Sequence, residues 1–223
     1  MKTLKSILTI VGWLTFVSMA LGQEQVLPPA VATVIQAQGS PLAVLNNVTR
    51  KLTRQDNIYP LEKIVTGANE KITIKLPDGS LITIADNSEF TIDQFMYQPE
   101  RQWGEVLLSM TKGAFRVVTG AVGKLANKRF EVKTPVAAIG VRGTDFWGGF
   151  YFPDKGDPKK IPLDVIMLEG KGIYIKNAKG ITEISEPGKG TTVASSKEAP
   201  TPGKTWPDDK VKRAKASIQF DAL

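Results

Sequence analysis

Five carboxylates are the obvious candidates in this sequence for acid–base chemistry. A suitably spaced pair would fit glycoside hydrolysis, in which one carboxyl group is the acid and the other is the base or nucleophile. Each also has a simpler role, as a turn residue, a strand end or part of a charged loop. The five are Asp78, Asp145, Asp154, Asp157 and Glu169. We therefore predict that the chain is not an enzyme.

The sequence contains no cysteine and no histidine. Disulfides, thiolate nucleophiles, histidine catalysis and Cys/His metal sites are therefore excluded. The loop 154–157 has too few oxygen donors at a calcium-binding spacing. The sequence predicts no metal site and no cofactor.

The chain is organised around residues 130–152, where one arginine stands in a run of glycine and apolar residues. Phe130 and Val132 alternate with charged residues, which predicts a half-buried strand. Pro135 has no N–H to donate to a ladder, so the strand should end there in a turn. Gly140 and Gly143 predict backbone angles that a side chain would forbid.

Arg142 lies in that constrained segment, so its side chain is aimed with little freedom. We predict that it serves the fold, buried and paired with Glu169 or with Asp145, because its five donors can bridge a turn. The rival interpretation makes Arg142 an exposed ligand-binding group.

Three motifs in this order resemble the signature of FecR-type domains, which are extracytoplasmic bacterial domains best known in regulators of iron-uptake sigma factors. The first is the turn Leu76-Pro77-Asp78-Gly79-Ser80, and the third is the apolar strand that ends in Glu169-Gly170. The second contains Thr134, Pro135, Ala137, Gly140, Val141, Arg142, Gly143, Thr144 and Phe146. The resemblance covers residues 31–194, and we expect these signature residues to be structural.

The FecR resemblance implies a β-solenoid-like domain of strands coiled into facing sheets. The regulators that carry such domains also have a cytoplasmic anti-sigma region, one membrane span and often a secretin-like module. In this sequence only Met1–Lys5 precede the first apolar segment, so we expect no anti-sigma region here.

Residues 1–22 have the order of a signal peptide: two lysines, an apolar core and a small-residue end at Ala20 and Gly22. Cleavage after Gly22 would leave Gln23 first, 27 basic and 22 acidic residues, and a net charge of +5. The alternative is an uncleaved anchor helix. The sequence predicts export, to the periplasm of a Gram-negative bacterium.

The rest of the chain predicts an all-β fold of short strands, either a solenoid or a sandwich, preceded by a flexible lead-in at 23–30. The alternation of Ile72, Ile74 and Leu76 before Asp78-Gly79 is typical of a strand and a hairpin turn.

Trp147, Phe150, Tyr151 and Phe152 begin a segment that departs from the family pattern. The alternation of Phe150 and Phe152 around Tyr151 fits an ordinary strand, and the alternative is an exposed aromatic tip that contacts a partner.

The C-terminal part, residues 195–223, reads as a linker and a short helical tail. The linker composition runs from Glu186 to about Trp206, rich in proline, glycine, serine and threonine, and predicts flexibility. Val211, Ala214 and Ile218 then fall near helical spacing, and the helix either docks on the β domain or stays frayed.

A basic cluster lies in this tail, and we expect a solvated helix face; the alternative is contact with an anionic envelope surface. The cluster comprises Lys204, Lys210, Lys212, Arg213 and Lys215. The sequence has no array of interleaved aromatic and basic residues, so it does not predict nucleic-acid binding.

These observations favour an exported, non-enzymatic binding or scaffolding module whose partner is an envelope protein or a cell-wall or surface glycan. The alternative is an accessory regulator of transmembrane signalling linked to sigma-factor control of iron uptake.

Overall fold

The computed structural model describes residues 28–152 and 161–221. The predicted signal peptide, most of the lead-in, and the loop with Asp154 and Asp157 lie outside the described residues.

Strands dominate the described residues, so the all-β prediction is confirmed. In chain order the strands are β1 (Ala32–Gln38), β2 (Leu42–Leu45), β3 (Val48–Lys51), β4 (Asn57–Ile58), β5 (Lys63–Val65), β6 (Lys71–Lys75), β7 (Leu81–Ile84), β8 (Glu89–Gln98), β9 (Trp103–Lys112), β10 (Ala114–Val118), β11 (Asn127–Lys133), β12 (Ala138–Val141), β13 (Thr144–Gly149), β14 (Leu163–Gly170), β15 (Ile173–Asn177), β16 (Gly180–Ile184), β17 (Lys189–Val193) and β18 (Lys204–Thr205). Two 3₁₀ turns, Pro99–Arg101 and Ala121–Lys124, and one helix, α1 (Asp208–Ser217), complete the described elements.

The strands form two nine-stranded sheets, and the chain passes back and forth between them. Sheet A has the order β18-β17-β14-β13-β10-β7-β6-β1-β4. Sheet B has the order β16-β15-β12-β11-β9-β8-β5-β2-β3. Neither sheet closes into a barrel.

The core lies between the two sheets and follows the period-two pattern of the strands. Ile72 and Ile74 of β6 and Ile82 and Ile84 of β7 are fully buried, as the alternation predicts. Phe115 of β10 joins both sheets, because its ring lies 5.6 Å from the rings of Phe90 and Phe146.

A third layer covers the outer face of sheet A. Helix α1 packs there against a separate apolar cluster of Ala85, Ala114, Trp147, Phe152, Ile166, Trp206, Ala214 and Ile218. The helix therefore docks on the β domain. Among residues 28–152 and 161–221, no helix is long and apolar enough to cross a membrane.

The segment predicted as a flexible linker is instead held in place. It contains β17 and β18, and Trp206 at its end is only 3% exposed. Thr191 donates its hydroxyl to the Thr201 carbonyl, and the Thr182 hydroxyl donates to the Pro200 carbonyl at 3.2 Å. The prediction of flexibility from composition was wrong because threonine side chains in this segment make hydrogen bonds that hold it against the sheets.

Candidate functional site

The Asp78-Gly79-Ser80 turn anchors the 3₁₀ turn at Ala121–Lys124. The Asp78 carboxylate, in a residue only 7% exposed, accepts hydrogen bonds from the Ser80 hydroxyl at 2.8 Å and from the Val122 N–H at 3.1 Å. The Ser80 hydroxyl in turn accepts the N–H of Gly120 at 2.8 Å. Gly79 has φ +85°, a conformation that favours glycine. This acid is therefore a structural cap.

The second and third signature motifs meet at the same corner of the two sheets. The Thr144 hydroxyl donates to the Gly172 carbonyl at 2.7 Å and accepts the Gly172 N–H at 3.1 Å. Thr119 links this point to the 3₁₀ turn, because its hydroxyl donates to the Thr144 carbonyl at 2.8 Å. A Cβ on Gly170 would lie 2.6 Å from the Gly143 carbonyl oxygen, so no side chain fits there.

Thr134, Val141 and Phe146 of the signature also serve the fold. The Thr134 hydroxyl donates to the Ala137 carbonyl at 2.7 Å across the turn that contains Pro135. Val141 and Phe146 are buried in the core.

Gly140 and Gly143 lie on either side of Arg142, and each must be a glycine for a different physical reason. Gly143 has φ +74°, as predicted. Gly140 does not have a positive φ, so the predicted reason for that glycine was wrong. It is a glycine because a Cβ would overlap the ring of Tyr174 on the next strand.

Arg142 is exposed, so the prediction of a buried arginine paired with Glu169 or Asp145 was wrong. Its guanidinium lies 3.2 Å from the carboxylate of Glu183, and the two side chains are 56% and 57% exposed. It also lies 5.8 Å from the centre of the Tyr174 ring. These three side chains, which we call the Arg142 cluster, sit at one edge of the outer face of sheet B.

Asp145 has a different partner from the one predicted. Its carboxylate binds the guanidinium of Arg116 through two hydrogen bonds, at 2.8 and 2.6 Å. These bonds raise the pKa of Arg116. Glu169 lies opposite Asp145 on β14 and is exposed. Among the described carboxylates singled out in the sequence, Asp78 and Asp145 are both engaged, so they offer no free acid–base pair.

The aromatic segment is mostly internal. Trp147 is fully buried, Phe152 is 7% exposed, and their rings lie 5.6 Å apart beside Trp206. Phe150 is partly buried against the main core, and Tyr151 is 37% exposed. Strand β13 ends at Gly149, so the interpretation of Phe150 to Phe152 as a strand was wrong. Of these aromatic residues, Tyr151 is the most exposed.

Two members of the basic cluster pack on these aromatic rings instead of lying free on a solvated face. Lys210 lies 4.1 Å from the Trp206 ring centre and 2.7 Å from the carboxylate of Asp164, which is only 1% exposed. Arg213 lies 4.8 Å from the Phe152 ring centre. These contacts fix α1 on sheet A.

A groove at the far edge of both sheets was not found by sequence reasoning. We call it the edge groove; it has a volume of about 740 Å³ and runs between β3 of sheet B and β4 of sheet A. Its lining is Pro28, Leu45, Asn46, Val48, Arg50, Gln55, Asp56, Asn57, Tyr59 and Glu62. Val48 of β3 marks the groove in the structure because it is 69% exposed, whereas a valine in a short strand carries no such signal in the sequence.

The floor of the edge groove is a fixed polar centre. The Arg50 guanidinium donates two hydrogen bonds to the Glu62 carboxylate, at 3.0 and 2.7 Å, and one to the Asn57 carbonyl at 2.5 Å. The bonds to Glu62 raise the pKa of Arg50. Glu62 also accepts the Tyr59 N–H at 2.9 Å and is only 5% exposed. Among the described residues, no group of acidic side chains is arranged to hold a metal ion.

The fold and the signature corner define a two-sheet β domain that three sequence motifs hold together at one point. Residues 62–171 match the sequence model of the family described as FecR protein. Residues 62–171 therefore form a FecR-type domain, which confirms the resemblance over this part of the chain. The edge groove lies almost entirely before the matched residues.

Two solved structures share this fold. Both are crystal structures of a candidate anti-sigma factor from Parabacteroides distasonis ATCC 8503, at 1.65 and 2.50 Å resolution. Their sequences are 17% and 18% identical to this chain, with TM-scores of 0.50 and 0.53 over 67% and 68% of it. The chain spans 62% and 63% of the length of those two proteins. No curated protein matches the sequence.

Proposed function

We propose that this chain is an exported, non-enzymatic binding module of the bacterial cell envelope. It recognises an envelope protein or a cell-wall or surface glycan through the Arg142 cluster. The FecR match over residues 62–171 and the fold shared with a candidate anti-sigma factor support a role in signalling regulation.

The observation that carries the proposal is the exposure of Arg142. The side chains of Asp78 and Thr144, in the same signature, make buried hydrogen bonds at the corner of the fold. Within the described residues, the Arg142 guanidinium makes an exposed ion pair with Glu183 and lies beside the Tyr174 ring. Such a pair contributes about 0–1 kcal/mol to stability. The fold thus holds the backbone of Arg142 firmly and leaves its guanidinium for another task.

The chemistry of the Arg142 cluster suits a ligand that carries a carboxylate. A guanidinium binds a carboxylate through two parallel hydrogen bonds, and an incoming carboxylate would replace Glu183. The Tyr174 ring beside it offers an apolar platform for the rest of a side chain or a sugar ring.

The test is capture from envelope extracts with the exported protein as bait. Arg142→Ala should abolish capture of the partner and leave the thermal midpoint within about two degrees of wild type, because little stability rests on an exposed pair. Arg142→Lys should not restore binding, since an ammonium lacks the planar fork. Arg101→Ala, at another exposed arginine, is the matched control. A large fall in the midpoint, or capture unchanged by Arg142→Ala, would contradict the proposal.

A second candidate function is favoured by the fold shared with a candidate anti-sigma factor. The chain would then be an accessory regulator of transmembrane signalling linked to sigma-factor control of iron uptake. Deleting its gene should change transcription of iron-uptake genes under iron limitation. Unchanged transcription, together with retained partner capture, would leave the envelope binding module as the function.

A further inference from the structure

We propose that the edge groove is a docking site for an extended segment of a partner protein, which adds to β3 as a further strand of sheet B. The segment has apolar residues at alternate positions and an acidic residue opposite Lys51. This site is separate from the Arg142 cluster and goes beyond the function proposed above.

The backbone of β3 is the first evidence. The hairpin of β2 and β3 turns through Asn46 and Asn47, with φ +49° and +64°, as in a tight two-residue turn. Residues flanking such a turn bond each other and the pairs then alternate, so Thr49 and Lys51 direct their N–H and C=O groups away from β2. Within the described residues, no hydrogen bond engages these four groups. A row of unpaired donors and acceptors is complementary to another extended backbone.

The side chains of β3 give the second evidence, since they alternate between the groove and the outer face of sheet B. Val48 and Arg50 line the groove, and Leu45 and Tyr59 supply further apolar wall. An added strand would therefore place every second side chain in this groove. Because Arg50 is already bound to Glu62, the groove favours apolar side chains over a second acid there.

The charge of Lys51 determines which residue type is favoured between the apolar positions of the added strand. It lies on the outer face at the exposed end of β3. A cross-strand neighbour of opposite charge stabilises an antiparallel pair, and a like charge destabilises it. The preferred segment therefore has an acidic residue opposite Lys51, between its apolar positions, which distinguishes it from a purely hydrophobic peptide.

The experiment uses the exported protein and blocked synthetic peptides in which valine alternates with glutamate or with lysine. Binding is measured by fluorescence anisotropy, and amide signals of β3 are followed by NMR. We expect the glutamate peptide to bind and to shift the amide signals of Thr49 and Lys51. The lysine peptide should bind about fivefold more weakly, which corresponds to about 1 kcal/mol for a like charge opposite Lys51.

Two variants separate backbone pairing from simple apolar contact. Thr49→Pro removes one outward N–H at an edge position where proline is tolerated, and should weaken the glutamate peptide about tenfold. Lys51→Glu should reverse the preference between the two peptides. Lys176→Glu, on β15 of the same sheet, should change neither result, and Arg142→Ala should also leave peptide binding intact.

Three outcomes would overturn the proposal. Equal binding to wild type and Thr49→Pro would show contact without strand addition, and no binding of either peptide would show that the edge does not accept an extended segment. Slow hydrogen exchange of the Thr49 and Lys51 amides in the free protein would assign the groove to the chain's own residues 23–27 or to a second copy. Sedimentation of the free protein would distinguish these last two.

Discussion

Trp147 on sheet A donates its indole N–H to the hydroxyl of Ser217 on helix α1 at 3.0 Å, across 70 residues of sequence. The Ser217 hydroxyl in turn donates a hydrogen bond to the Ala214 carbonyl at 2.7 Å. Trp206, the neighbouring indole, is equally buried, but its N–H has no partner within the described residues. Two tryptophans of one cluster thus contribute differently to the attachment of the helix.

Replacing each of these tryptophans with phenylalanine should therefore have unequal costs. Both changes remove apolar volume, but only Trp147→Phe also removes a buried hydrogen bond. We expect Trp147→Phe to lower the free energy of unfolding by about 1 kcal/mol more than Trp206→Phe. Urea denaturation measures the difference, which should shrink in a Ser217→Ala background. If Trp147→Phe and Trp206→Phe have equal costs in both backgrounds, the hydrogen bond from Trp147 to Ser217 contributes nothing to stability.

Gly140 should be intolerant of alanine because of one neighbour. The Cβ would overlap the Tyr174 ring, so Gly140→Ala should cost about 1 to 3 kcal/mol, the range for overpacking. In a Tyr174→Ala background the cost should largely disappear. Gly79→Ala is the comparison, since it has a positive φ and open space, and Tyr174→Ala should not change its cost. Thermal and urea unfolding of the variants give the coupling, and additive costs for Gly140 and Tyr174 would contradict the overlap.

Asp56 makes stability depend on pH in the acid range. Its carboxylate accepts the Thr53 N–H at 2.6 Å, which lowers the pKa of Asp56. The folded chain therefore keeps this group ionised where the unfolded chain has begun to protonate it. This stabilisation is fully present above about pH 4 and is lost as the pH falls through the lower, folded pKa.

The variant Asp56→Asn tests this pH dependence of stability. It should lower the urea midpoint at pH 7 and have a progressively smaller effect as the pH is lowered below about 4. Asp86→Asn, in the turn that follows β7, serves as a comparison. A pH-independent effect of Asp56→Asn would show that the hydrogen bonds do not favour the charged form.

Local patterns in the sequence were sufficient for several strands and turns, although they missed β17 and β18 in the segment predicted as a linker. Alternation placed Ile72 and Ile74 in β6, and Asp78-Gly79 marked the turn before β7. These features depend on neighbours within a few residues, so a single sequence contains them.

Pairing between distant residues could not be predicted in the same way. Glu183, the partner of Arg142, lies 41 residues away on a strand whose position depends on sheet order. The third layer left a weak signal in Phe146-Trp147, because two successive buried apolar residues in one strand require cover on both faces. Alternation alone does not say whether that cover is a helix, a loop or a partner.

The docked tail has a consequence for the order in which the protein can assemble. Trp147 and Ile166 leave the ribosome before Trp206 and Ile218, which cover them in the finished fold. Until the last part of the chain arrives, the two sheets can form their shared core while the outer face of sheet A stays uncovered. Such an intermediate would expose an apolar patch that favours aggregation. Premature termination just before α1 would therefore harm solubility more than its ten residues suggest.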